Sequence, residues 1–154
     1  MSEKTEIAVD LFSRGFNCAQ SVLESHIAEF DMPSETSRKI AAAFGAGVGY
    51  NNEICGAVSG ALMVIGLKYG QFKNGDIDSK IKTYEVTNVF VKKFKEKFGS
   101  VKCTELVKYN LSHEDELIAA RESGVFRLVC PELIKKAVEI VEELLIETDS
   151  GDSI

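Results

Sequence analysis

The sequence predicts an all-α protein, built as a compact single-domain helical bundle. Apolar residues recur at helical spacing along most of the 154 residues, and no segment alternates strictly between apolar and polar residues as a half-buried strand would. The composition is that of a globular protein, with 45% hydrophobic residues, 27% charged residues and only two prolines. The connections between the periodic segments are short, which favours one bundle over separate domains.

Three helices are predicted before the first glycine-rich segment. The first covers about residues 3–12. The second begins at Asn17, a residue type that caps helices, and its apolar stripe is Ala19, Val22, Leu23, His26, Ile27 and Phe30. The third runs over about residues 34–44. The segment Gly45–Gly49 has glycine at every second position, and we expect it to be a hinge or a close-packing loop.

The next helix is predicted to be buried at the centre of the bundle. Residues 54–67 form an uncharged run of roughly 14 positions, and the helix is expected over about residues 55–69. A helix needs ~20 apolar residues to cross a bilayer, so we expect no membrane span. A long helix then runs from the turn at Asp76 to Phe98, with the stripe Ile77, Ile81, Tyr84, Asn88, Val91, Phe94 and Phe98.

The C-terminal third is predicted to contain three further helices. A short helix follows Cys103, and a second covers about residues 112–122. The last is expected over about residues 131–147, because proline is favoured at the first helical position. We therefore predict one helical domain over residues 3–147 and a polar, flexible C-terminal tail over residues 148–154.

The charge and the N-terminal segment limit the classes of partner and compartment. The chain carries 24 acidic and 18 basic residues, a net charge of −6, which argues against a nucleic-acid partner. The first residues lack the apolar core and positive flank of a secretory signal, so we expect a cytoplasmic protein. Structural disulfides are rare in the reducing cytosol, and the four cysteines therefore need another explanation.

The candidate catalytic residues are the four cysteines, Cys18, Cys55, Cys103 and Cys130. Each is predicted at the start of a helix, where unpaired N–H groups and the helix dipole stabilise a thiolate and lower its pKa. We expect Cys55 to be the most reactive, because the helix behind it begins with small residues that permit a close approach. The residues expected to contact a substrate there are Gly56, Ala57, Ser59 and Gly60.

The cysteine pattern resembles a known family. The hexapeptide Cys55-Gly56-Ala57-Val58-Ser59-Gly60, the segment Asn17-Cys18-Ala19-Gln20, and the two later cysteines occur in the order found in the C_GCAxxG_C_C family, whose proteins are described as redox-active. The resemblance covers roughly residues 6–145. It implies a redox role for the four cysteines.

Three uses of these cysteines are compatible with the sequence. In the first, one thiolate attacks a disulfide or peroxide of a small-molecule or protein redox partner, and a second cysteine resolves the product. No cofactor is needed for this, and the protein would be a thiol–disulfide oxidoreductase. In the second, Cys18, Cys55, Cys103 and Cys130 ligate zinc or an iron–sulfur cluster. In the third, the chain is a helical interaction subunit with passive cysteines.

Two expectations about geometry follow. At least two cysteines should lie within disulfide reach, with Cα atoms closer than about 7 Å. His26 lies on an apolar stripe about two turns from Cys18, so we expect a buried core histidine and not the base that activates this cysteine. Oligomer formation is compatible with the sequence.

Overall fold

The computed structural model describes residues 1–151 and confirms the all-α class. The last three residues of the predicted tail lie outside this range. The helices are α1 Glu3–Ser13, α2 Cys18–Glu24, α3 Ser34–Ala41, α4 Gly45–Tyr50, α5 Gly56–Tyr69, α6 Ile77–Phe98, α7 Cys103–Val107, α8 Glu114–Ser123 and α9 Val125–Asp149. Two 3₁₀ turns, Ile27–Phe30 and Ala42–Phe44, end the second and third predicted helices earlier than expected.

Helix α5 is central, as predicted. It packs against α2, α6 and α9, and the side chains that fill these contacts include Ala57, Ala61 and Val64, none of which is exposed. A Cβ atom on Gly60 would lie 2.7 Å from the Ala19 carbonyl oxygen, so this glycine allows the backbone of α2 to approach α5 closely. The small residues of the hexapeptide therefore serve a helix–helix contact.

The predicted stripe of α6 is wrong in its N-terminal half. The exposed fraction is between 50% and 59% for Ile77, Ile81 and Tyr84. No side chain of α6 is buried before residue 86. The buried face is formed by Val86, Phe90 and Phe94 at a spacing of four residues. Residues two positions apart differ by about 200° around a helix, so Tyr84 and Asn88 point away from this face.

The predicted start of the last helix is also wrong. Helix α9 begins at Val125, directly after Gly124, and Pro131 and Cys130 both lie inside it. Gly124 has a φ of 75°, and this left-handed residue ends α8 and turns the chain directly into α9. Because proline lacks one N–H, Pro131 removes one backbone hydrogen bond from α9. Cys130 consequently has no helix start to lower its pKa.

Helix α4 is left-handed. From Ala46 to Gly49 the φ values lie between 53° and 63°, and Tyr50 continues with a φ of 70°. A left-handed conformation costs roughly 1–2 kcal/mol for each residue that has a Cβ atom. The segment predicted as a hinge or a close-packing loop is therefore a defined left-handed turn that surrounding contacts must hold in place.

Within residues 1–151 no helix is both long and apolar enough to cross a membrane.

Candidate thiol site

All four cysteines line one cavity of about 170 Å³. It is reached from α2 by Cys18, from the residue that precedes α5 by Cys55, from α7 by Cys103 and from α9 by Cys130. Each side chain is buried, with an exposed fraction between 4% and 9%. The remaining wall is mainly apolar and includes Phe12, Val107, Phe126 and Leu133. The structure thus gathers thiols that are far apart in the sequence into one apolar chamber.

The first turn of α2, which begins at Cys18, is held by the side chains of Asn17 and Gln20. The side chain of Asn17 accepts a hydrogen bond from the Gln20 N–H, and the side chain of Gln20 accepts one from the Asn17 N–H, both at 3.0 Å. The Asn17 amide also donates to the Ala42 carbonyl at 2.9 Å. A Cβ atom on Gly45 would lie 2.3 Å from the Asn17 side chain, so only glycine fits there. These contacts fix the first turn of α2 against the start of α4.

Cys55 and Cys103 are positioned by a single antiparallel bridge between Ile54 and Lys102. The Cys55 N–H donates to the Val101 carbonyl at 2.7 Å, and the Cys103 N–H donates to the Glu53 carbonyl at 2.8 Å. The bridge therefore places Cys55, which directly precedes α5, beside the start of α7. It joins two cysteines that the chain separates by the whole of α5 and α6.

The left-handed helix α4 covers this bridge. A Cβ atom on Gly47 would lie 2.6 Å from the Cβ atom of Cys103, so the backbone of α4 packs directly on α7. The Gly47 carbonyl accepts a hydrogen bond from the Glu53 N–H at 3.0 Å, and the Asn51 amide donates to the Val48 carbonyl at 2.8 Å. Helix α4 also supplies the backbone N–H of Ala46 to the Cys18 sulfur.

Cys18 and Cys55 form a hydrogen-bonded thiol pair. The bond from the Cys55 thiol is the largest cause that lowers the pKa of Cys18, to about 6. Burial opposes this shift, and the backbone N–H groups of Ala46, Cys18 and Ala19 add to it. The same pairing, together with burial, raises the pKa of Cys55 well above its ordinary value. Cys18 is therefore the thiolate of the pair, and Cys55 is the thiol that donates to it.

Cys103 and Cys130 are held as neutral thiols. Burial is the main cause that raises the pKa of each to about 12, and the negative charge on Cys18 adds to both shifts. At neutral pH the cavity contains one thiolate and three thiols.

A comparison with protein families gives a match over most of the chain. A family model described as "Putative redox-active protein (C_GCAxxG_C_C)" matches residues 16–144. The chain belongs to the C_GCAxxG_C_C family. This matched range contains all four cysteines and the hexapeptide, and it confirms the family resemblance predicted from the sequence. No curated protein and no solved structure matches the chain.

In the hexapeptide of the C_GCAxxG_C_C family, Gly56 packs directly against the thiol pair. A Cβ atom on Gly56 would lie 2.5 Å from the Cys18 sulfur, so this glycine makes room for the thiol. The Ser59 N–H donates to the Cys55 carbonyl at 3.0 Å. Ala57 and Gly60 are buried against neighbouring helices, and the residues that line the cavity do not include Gly56, Ala57, Ser59 or Gly60.

Sequence reasoning identified only the cysteines of the cavity, and it missed two polar residues at the rim. Tyr50 and Arg121 are exposed residues at its rim, and the Arg121 guanidinium donates a hydrogen bond to the Tyr50 hydroxyl at 3.2 Å. The guanidinium carbon also lies 5.5 Å from the centre of the Tyr50 ring. No local motif marks either residue, because the contact depends on how α4 and α8 meet.

His26 is fully buried, as expected, and its Nδ1 atom lies 3.1 Å from the Val22 carbonyl oxygen, away from the cavity lining.

Over residues 1–151, no three side chains of the histidine, cysteine, aspartate or glutamate type converge closely enough to hold a metal ion.

Proposed function

We propose that this C_GCAxxG_C_C protein is a thiol–disulfide redox protein in which Cys18 is the nucleophile and Cys55 is the resolving cysteine. The observation that carries the proposal is the hydrogen bond between these two thiols at the wall of the cavity, with the pKa of Cys18 lowered to about 6. The description of the family as redox-active supports it.

The first step is attack by the Cys18 thiolate on a substrate disulfide. A thiol with a pKa of about 6 is mainly thiolate at pH 7, and the thiolate is the reactive form. The new bond joins the Cys18 sulfur to one substrate sulfur, while the substrate S–S bond breaks and its other sulfur leaves as a thiolate. The product is a mixed disulfide on Cys18.

The second step uses the partner thiol. Once the Cys18 sulfur carries a substituent, the hydrogen bond to its thiolate and the negative charge of that thiolate, which both raise the pKa of Cys55, are gone. The Cys55 proton passes to the departing substrate thiolate, and the Cys55 sulfur attacks the Cys18 sulfur. The bond between the Cys18 sulfur and the substrate sulfur breaks, and this second substrate sulfur leaves as a thiolate that takes a proton from water. The substrate has then gained two electrons and is released as two thiols, and the protein keeps a Cys18–Cys55 disulfide. A dithiol reductant must then restore the pair by the same exchange.

We propose a different nucleophile from the one that the sequence favoured. The sequence favoured Cys55, because small residues follow it, but its thiol is the hydrogen-bond donor of the pair and its pKa is raised. We therefore assign attack to Cys18 and resolution to Cys55.

The proposal is tested by alkylating the reduced protein over a range of pH and locating the label by peptide mass spectrometry. Cys18 should react first, with a midpoint near pH 6. Oxidation with a small disulfide should then link Cys18 to Cys55, and this link should still form in Cys130→Ser but not in Cys18→Ser. Another first-labelled cysteine, or stoichiometric zinc or iron bound through the thiols in the same sample, would overturn the proposal.

A further inference from the structure

The rim of the cavity carries a positive charge that the thiol chemistry does not use. Arg121 lines the cavity, and within residues 1–151 no carboxylate pairs with its guanidinium. Its polar contact is the Tyr50 hydroxyl, and the guanidinium also lies near the Tyr50 ring. Because Tyr50 belongs to the left-handed helix α4, the two contacts hold the cation beside the opening.

The position of this charge matters because the cavity behind it is apolar. A cation at the mouth of a cleft with low-dielectric walls raises the local concentration of anions. The protein as a whole has a net charge of −6, so an unpaired arginine at this rim runs against the general charge of the molecule. Charge complementarity therefore favours an anionic group at the mouth.

The size of the cavity limits what can reach Cys18. An engineered apolar cavity of about 150 Å³ in another protein holds one benzene molecule. The present cavity, at about 170 Å³, is of similar size, and the four thiols are at most 9% exposed. A disulfide on the surface of a folded protein cannot enter such a space, whereas a small organic disulfide can.

We propose that the cavity takes small organic disulfides that bear a carboxylate, with the carboxylate held by Arg121 and the sulfur end directed to Cys18. This inference rests on the proposed thiol–disulfide function and names its substrate class. Arg121 is thus a specificity-determining residue, and Tyr50 is the residue that positions it.

The charge selectivity is tested with two alkylating agents of nearly equal size, anionic iodoacetate and neutral iodoacetamide. We divide the second-order rate constant of iodoacetate at Cys18 by that of iodoacetamide. This ratio should fall about two- to fivefold in Arg121→Gln, the range expected for one exposed ion pair. The ratio in the unchanged protein should also fall as salt is raised. Arg127→Gln is the matched control, because Arg127 is an exposed arginine outside the cavity lining, and the ratio should not change there.

A series of disulfides then separates this inference from the function on which it rests. Anionic 3,3′-dithiodipropionate should oxidise the Cys18–Cys55 pair faster than neutral bis(2-hydroxyethyl) disulfide, and cationic cystamine should be slowest. Arg121→Gln should remove this order, whereas Arg127→Gln should keep it. Reaction with all three at equal rates would overturn the substrate class and leave the thiol function standing. No oxidation by any of them would overturn the thiol function, and the alkylation ratio would still report on Arg121.

Discussion

At the scale of single residues, the two thiols of the pair are both buried, yet their pKa values are shifted in opposite directions. The difference comes from the hydrogen bond, because Cys55 donates to Cys18 and three backbone N–H groups also point to the Cys18 sulfur. Burial alone would raise the pKa of both thiols, as it does for Cys103 and Cys130. The reactivity of Cys18 therefore depends on its neighbours and not on its own exposure.

This dependence predicts a contrast between two variants of one residue. Cys55→Ala removes the donor and should raise the pKa of Cys18 from about 6 towards its ordinary value. Cys55→Ser keeps a hydroxyl donor and should leave the pKa of Cys18 low. The pH dependence of Cys18 alkylation measures both. Equal Cys18 midpoints in the two variants would show that the hydrogen bond is not the cause of the shift.

The candidate thiols could be identified from the sequence, but their roles could not. Four cysteines with the hexapeptide of the family define the set, and the structure brings all four to one cavity. The order of their pKa values depends on contacts between α2, α4 and α5, which no local pattern encodes. Arg121 and Tyr50 are separated by 71 positions in the chain, so their contact has no signature in the sequence.

At the scale of elements, the helices with clear end signals were predicted closely. Helix α5 ends before Gly70, and α6 begins after Asp76, whose side chain accepts a hydrogen bond from the Ser79 N–H, and ends before Gly99. The left-handed helix α4 could not be predicted, because Ala46 and Val48 have no intrinsic preference for that conformation. Tertiary contacts with the Cys103 region impose it.

Two glycines of α4 form a matched pair that tests this account. Gly47 and Gly49 have φ values of 63° and 62°, but an added Cβ atom would meet Cys103 only at Gly47. Gly49→Ala should therefore lower the free energy of unfolding by roughly 1–2 kcal/mol, the cost of a left-handed alanine. Gly47→Ala should lower it further and should change the alkylation rate of Cys103. Urea denaturation measures the stabilities, and equal losses in both variants would contradict packing of α4 on α7.

At the scale of the whole molecule, the thiol pKa values couple stability to pH. The pKa of Cys18 is lower in the folded protein than in the unfolded chain, so its stabilising contribution is complete above about pH 9 and is lost as the pH falls towards about 6. The raised pKa values of Cys103 and Cys130 act in the opposite direction, and their contribution is lost as the pH rises above about 9.

We therefore expect the free energy of unfolding to rise between pH 6.5 and 9 and to fall at higher pH. The lowered pKa of buried His26 acts mainly below pH 6.5 and so leaves the upper part of this window to Cys18. Urea denaturation of the reduced protein at several pH values measures the curve. Cys18→Ser should flatten the rise while Cys130→Ser should not, and a rise that persists in Cys18→Ser would assign it to other groups.

The single bridge between Ile54 and Lys102 has a consequence for how the chain folds. The contact closes a long loop that contains all of α5 and α6, and such non-local closures are slow compared with helix formation. Until the bridge forms, Cys55 and Cys103 are not held next to each other, and the cavity is not complete. A refolding chain would consequently expose all four sulfurs to oxidants through the early stages and shield them together near the end, so the risk of wrong cross-linking is greatest before that closure.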